Sequence, residues 1–267
     1  MPLRPRRFAL LAFVLVGVAL AEAALLAVWA FRDPERIRRG SAYLRGERLA
    51  ARLGCFGCHG PGGVKGSLDP TSPTGSVPSW SGGTHMMYVQ DEKEIREYIL
   101  DGMPSRLRES AEEGRKRLDK LTIRMPAYRA LLTDAQLQDL VAYYKAVSWF
   151  ETPPDEAAAR GRDTALRLGC FGCHGPEGRG LIINPGSFKG YIPPWDGDDW
   201  DDLVKSDAEF DEWVKTGEIS RFRRNPLAAH FLDAQQIKMP GYRDILKPGE
   251  LESLRSLVGW VRSTRKG

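Results

Sequence analysis

One nine-residue phrase, Leu-Gly-Cys-Phe-Gly-Cys-His-Gly-Pro, occurs twice, at Leu53–Pro61 and at Leu168–Pro176, and it contains every cysteine of the chain. The copies stand 115 positions apart, and the same shift superimposes Gly46 on Gly161, Pro70 on Pro185, Trp80 on Trp195 and Gly102 on Gly217. After a one-residue deletion, a shift of 114 aligns Met125-Pro126-x-Tyr128-Arg129 with Met239-Pro240-x-Tyr242-Arg243. Whatever one copy folds into, the other must fold into as well. The chain is a tandem duplication of a unit of about 110 residues, since solenoids are assembled from shorter and more numerous repeats.

The phrase holds Cys-x-x-Cys-His, the attachment pattern of c-type haem. Two thiols three residues apart on a turn reach the two vinyl groups of one porphyrin, and the adjacent imidazole points at the iron. Cys55, Cys58 and His59 form one set and Cys170, Cys173 and His174 the other, so two covalently attached haems c are expected. A redox disulfide would use the paired thiols but give His59 and His174 no task. A zinc site built from both pairs would also leave the histidines idle.

Ahead of the repeats, Phe8–Phe31 is a run of 24 residues broken by a single charge, Glu22. That length spans a bilayer as a tilted helix. The small residues of Ala21-Glu22-Ala23 resemble a signal cleavage site, but the apolar run continues past them, and an uncleaved anchor is expected. Arginines at 4, 6 and 7 balance those at 32, 36, 38 and 39, so charge alone does not orient the span.

Both units read as helical. Pro34 and Pro153-Pro154 open the stretches Glu35–Leu53 and Asp155–Leu168. Thr133 with Gln136 makes a capping box for Asp134–Val147. In Glu250–Val261, Leu251, Leu254, Val258 and Val261 repeat Leu137, Leu140, Tyr144 and Val147 at helical spacing. Glu92–Leu100 and Ala208–Lys215 are shorter helices between, and no alternating run is long enough to argue for a sheet. The expected class is all-α: an N-terminal transmembrane helix within residues 1–33, one haem-binding domain over 34–150 and a second over 151–267. The formal net charge of +4 conceals a stretch, Trp195–Ile219, with ten acids and two lysines. It reads as a solvated face or as a docking patch for a basic redox partner.

With an opening helix, the attachment motif, a loop carrying proline, a late methionine and a closing helix, each unit resembles a class I cytochrome c, and the resemblance covers residues 34–267. It implies His59 and His174 as proximal iron ligands, with methionine sulfur opposite. Met125 and Met239 are preferred for that place because they lie 66 and 65 residues after their histidines. Met103, in a Gly-Met-Pro setting, competes in the first unit, but its counterpart is Glu218. The resemblance also implies that the carbonyls of Pro70 and Pro185 orient the proximal imidazoles. Trp80 and Trp195 are suited to a haem edge or to the core, and Tyr128, Arg129, Tyr242 and Arg243 to the propionates.

Two six-coordinate haems leave no iron position for a substrate, so the chain is expected to carry electrons and not to be an enzyme. It is similar to anchored two-haem cytochrome subunits of respiratory or photosynthetic complexes. That similarity implies haem domains on the periplasmic side of a bacterial cytoplasmic membrane. The implied partners are the bilayer, the subunits of a membrane redox complex and a soluble cytochrome or similar redox protein, with no role for nucleic acid. The competing class is a two-haem enzyme, peroxidase-like or thiosulfate-oxidising, with one reactive haem.

Overall fold

The first unit begins under side-chain caps. Asp33 accepts from Glu35 N at 2.9 Å to start the helix Pro34–Gly40, and Ser41 accepts from Leu44 N at 3.3 Å to start Ala42–Arg52. The single helix expected over Glu35–Leu53 is therefore two. Gly40 propagates a helix poorly and Ser41 supplies a cap, so a restart costs little at that pair. The second unit has no such break: Asp155 caps one helix, Glu156–Leu168, through Ala157 N and Ala158 N. The computed structural model describes residues 12–23, 33–81, 83–109 and 119–264. Only part of the expected anchor, Phe8–Phe31, falls within these. Residues 12–23 are helical with Phe13, Leu15 and Leu20 exposed, and among the described residues no helix is long and apolar enough to cross a membrane.

The closing helices run Asp134–Ser148 and Glu250–Ser263, the first starting from the Thr133/Gln136 capping box. Each packs across the opening helix of its own unit. The crossings match residue for residue. A Cβ on Gly46 would stand 2.0 Å from Asp139 O and 2.8 Å from Tyr143 Cβ, and one on Gly161 would stand 2.0 Å from Ser253 O and 2.9 Å from Leu257 Cβ. Glycine is needed at both because helix backbone meets helix backbone there. Around the crossings lie Leu44, Leu49, Leu140 and Val147 in the first unit, and Ala165, Leu254, Leu257 and Val261 in the second. Each buried leucine or valine among these contributes about 1.5–3 kcal/mol.

Beyond the expected helices, Pro226–Ala234 forms a further one, capped by Asn225. A two-residue antiparallel ribbon pairs Ile182 with Ile192 and Ile183 with Tyr191. The isolated bridge Leu68↔Ser76 occupies the same place in the first unit, so this small sheet element belongs to the repeat. It is too short for an alternating pattern to announce it.

The two units share a core. Leu181 and Tyr191 of the second cluster with Ile37 and Tyr43 of the first. Beside them Asp199, 3 % exposed, accepts from Lys189 Nζ at 2.9 Å, from Tyr191 Oη and from Arg36 Nη2 at 3.2 Å. Lys189 is itself buried and lies with Tyr191 and Asp199 in the second unit, so it is the Arg36 contact with this charged group that clasps the second unit to the helix that opens the first.

Candidate haem-attachment sites

Each Cys-x-x-Cys-His is one short helical turn, Cys55–His59 and Cys170–His174. The turn puts both thiols on one side and the imidazole at its end. All four thiols are free and half-buried. Burial raises the Cys55 thiol and pushes that of Cys170 up to about 11, which keeps both protonated and slow in disulfide exchange. Among the described residues, no group of three or more His, Cys, Asp and Glu side chains is arranged to hold a metal ion.

His59 Nδ1 lies 2.8 Å from the carbonyl oxygen of Pro78. A carbonyl only accepts, so Nδ1 bears the proton and Nε2 is left with the lone pair that an iron ligand needs. Burial holds the imidazole below the usual histidine range, with the Pro78 contact opposing. At His174 burial pushes the ring down to about 4. The Pro193 carbonyl interacts with that ring, but Nδ1 is buried without a completed hydrogen bond. Both rings are thus neutral.

Pro78, not Pro70, supplies the orienting carbonyl of the first unit, and in the second the carbonyl beside the ring is that of Pro193 at the matching position, not that of Pro185. The expected prolines are exposed in the loop that bears the ribbon, and the carbonyl of Pro185 accepts from Gln236 N instead. That loop carries the chain outward before it returns to the imidazole. The signal was present in the sequence, since Pro78 and Pro193 also obey the 115-residue shift.

Trp80 and Trp195 back the proximal rings. Their ring centroids stand 4.8 Å and 5.3 Å from those of His59 and His174. Their backbone N–H groups donate to Gly63 and Gly178 in the turn after each motif. Trp195 belongs to the core of its unit, and Trp80 also meets Phe56, Tyr143 and Tyr144. These contacts fix the imidazole plane.

The methionine segments are held from the opposite helices. Gly102 and Gly217 end Glu92–Asp101 and Asp207–Thr216 in left-handed conformation, φ 75° and 78°. A Cβ there would lie 2.3 Å from Met125 O and 2.1 Å from Met239 O, so the backbone of each methionine rests against a glycine. Tyr128 N and Arg129 N then donate to Ile99 O and Leu100 O, and Tyr242 N and Arg243 N to Val214 O and Lys215 O. Met125 and Met239 are half-buried, Met239 against the core of its unit. Met103 is half-buried as well, but its counterpart Glu218 is spent on an ion pair with Arg223.

Of the residues expected at the propionates, Tyr128 and Arg129 have side-chain partners within the chain. Tyr128 Oη donates to Leu53 O at 3.2 Å, next to the first motif. Burial raises both tyrosine phenols, and the nearby thiols add to it: Cys55 and Cys58 for Tyr128, Cys170 and Cys173 for Tyr242. The methionine segment of each unit therefore passes over its attachment motif. Arg129 pairs with both oxygens of Asp101 at 2.8 Å, and Arg243 is exposed. The acidic stretch 195–219 is consumed internally. Asp196 pairs with Arg179, Asp201 with Arg262, Glu209 with Arg221, and Asp207 and Asp211 with Arg255.

Paired thiols on one turn, an imidazole at its end, at His59 with the proton fixed away from the metal face, and a thioether in repeat register fit a covalently attached haem. Residues 41–143 match the family described as cytochrome c oxidase, cbb3-type, subunit III. The chain thus contains a c-type cytochrome domain, which takes covalently bound haem c. Among solved structures, a chain of the reducing HAO-like protein complex of Kuenenia stuttgartiensis matches at 18% identity over 80% of this chain and 94% of that one, with a TM-score of 0.25. No curated protein matches.

Proposed function

We propose that the chain is a membrane-tethered electron carrier with two haems c, one between His59 and Met125 and the other between His174 and Met239. The observation that carries this reading is the common register of the two units. Proximal histidine, backing tryptophan and glycine-held methionine recur at matching positions, as do Pro78 and Pro193. Bound haem supplies a one-electron ferric/ferrous couple. The chain's residues hold the ligands: the turn fixes the imidazole, tryptophan locks its plane, and Gly102 and Gly217 fix the thioether. A soft thioether favours the reduced metal and raises the potential. Because the ligands are set by packed backbone, little has to move when an electron arrives. Matched ligand sets leave neither unit an open position for a substrate, which favours carriage over catalysis. The apolar run Phe8–Phe31 would tether both units to the periplasmic face of the membrane. There they would relay electrons between a membrane redox complex and a second acceptor such as a soluble cytochrome.

The test is haem quantification together with redox-monitored spectra of wild type, Met125→Ala and Met239→Ala. The expected result is two haems per chain, with each variant losing part of the methionine-to-iron absorption band and lowering one midpoint potential. An unchanged band and unchanged potentials in both variants would overturn the ligand assignment.

A further inference from the structure

The second unit carries a buried charge cluster that the first lacks. Glu177 stands three residues beyond His174, 4 % exposed, with its backbone left-handed at φ 53°. Its Oε2 accepts from Arg179 Nε at 3.2 Å, and Arg179 Nη1 donates to Asp196 Oδ2 at 2.7 Å. Two carboxylates thus share one guanidinium, while Glu177 Oε1 and Asp196 Oδ1 are buried without a partner. The corresponding residues of the first unit are Gly62, Val64 and Ser81, none of which titrates.

A buried carboxyl oxygen with no donor disfavours a full negative charge and accommodates a proton. Burial pushes Glu177 up to about 7, against the pull of Arg179 and Arg162, and Glu151 adds to the rise. Those groups face it from its own loop, from the opening helix of the second unit and from the connection between units. Tyr43 faces it from the opening helix of the first unit, with Glu47 beyond, and Asp163 accompanies Arg162. On the closing helices, Lys145 is turned to Glu92 and Glu151, and Thr264 accepts from Arg179. Glu177, Arg179, Asp196 and Tyr43 line a cleft of about 630 Å³ between the units, which gives water a route to the carboxyl. The path to the iron ligand is short. Gly178 O accepts from Trp195 N at 2.8 Å, and the Trp195 ring stands 5.3 Å from that of His174.

We infer that Glu177, held by Arg179 beside Asp196, is a redox-linked proton site serving the second haem. With a haem held by His174, the Glu177 carboxylate would take one proton from water in the cleft on reduction and return it on reoxidation. The electron comes from the reduced redox partner that feeds the chain, so one negative and one positive charge arrive together. This site rests on the reading of the second unit as haem-bearing. Coupling is reciprocal: if the electron raises the carboxyl's affinity for protons, the proton raises the iron's affinity for electrons. The second potential therefore falls as pH rises while Glu177 titrates.

The experiment is spectroelectrochemical titration of the full haem-loaded chain from pH 5.5 to 8.5, in wild type and Glu177→Gln, with Met125→Ala marking the potential of the first unit. In wild type the second potential falls with rising pH and the first does not; in Glu177→Gln both stay level. Redox difference infrared spectra of wild type provide a measurement that needs no variant, as a protonated-carboxyl band should appear on reduction. Two haems with a level second potential and no such band would overturn the proton site alone. A chain that attaches haem only in its first unit overturns both the two-haem reading and the site.

Discussion

Alanine at Gly46 sets two effects of opposite sign against each other. In a helix interior the change should stabilise by about 0.5–1 kcal/mol, because glycine loses more backbone freedom on folding. Against this, the new methyl would stand 2.0 Å from Asp139 O, 2.7 Å from Asp139 C and 2.8 Å from Tyr143 Cβ. Backbone atoms of a packed helix cannot swing aside as a side chain can, so the opening and closing helices must separate by more than an ångström. Overpacking of this kind costs about 1–3 kcal/mol or more, and the gap loosens Leu44, Leu49, Leu140 and Val147 around the crossing. The steric effect wins, with a net loss of about 2 kcal/mol. Guanidinium unfolding of the haem-loaded chain should show it as a lowered midpoint. Gly161→Ala, with Ser253 O at 2.0 Å, should do the same through the second unit. An unchanged or raised midpoint in either variant would refute the reasoning, because propensity would then outweigh the crossing.

Gly102→Ala and Gly217→Ala press a methyl onto Met125 O and Met239 O in a left-handed conformation that itself costs about 1–2 kcal/mol. Each should weaken one methionine-to-iron band and lower one midpoint potential, and a wild-type spectrum would count against the glycine rest. Asp199→Ala removes the carboxylate that Arg36 reaches from the first unit and leaves Lys189 with Asp202 at 3.8 Å, so the loss should be about 1–3 kcal/mol, that of unpairing buried donors. Thermal unfolding should start lower and proteolysis should reach the 149–155 connection, whereas Asp199→Asn, which retains hydrogen bonding, should lose less; equal behaviour of both with wild type would show that the clasp does not hold the units.

What the sequence made legible was local or repeated. The Thr133/Gln136 box depends on residues three apart, and the closing helices announce themselves by periodic leucines, so both appear where expected within a residue or two. The Ser41 break escaped because apolar spacing runs through it, while the cap that decides it is one hydroxyl. The resemblance points to Pro70 and Pro185, 11 residues after their histidines, and the intervening ribbon loop makes that count run short. The Arg36–Asp199 contact joins positions 163 apart, and neither partner has a pattern around it that marks the other.

The differences between the repeats gather where the units meet. Backbone-shaping positions agree: Gly46 with Gly161, Pro78 with Pro193, Gly102 with Gly217. At the junction they do not. Lys189, Tyr191 and Asp199 stand where the first unit has Thr74, Ser76 and Thr84, and Tyr43 stands where the second has Ala158. A duplicated unit needs identical residues wherever its own ligands are held, but two copies that pack on each other present different faces and cannot use identical ones. The junction buries Tyr43 and Tyr191 together with the Lys189–Asp199 pair, so it holds the units in one arrangement. Glu177, the non-glycine residue with φ > 0 that follows the second motif, lies on that same junction. Its place ties a buried, titratable asymmetry beside the second attachment motif to the packing that joins the two units.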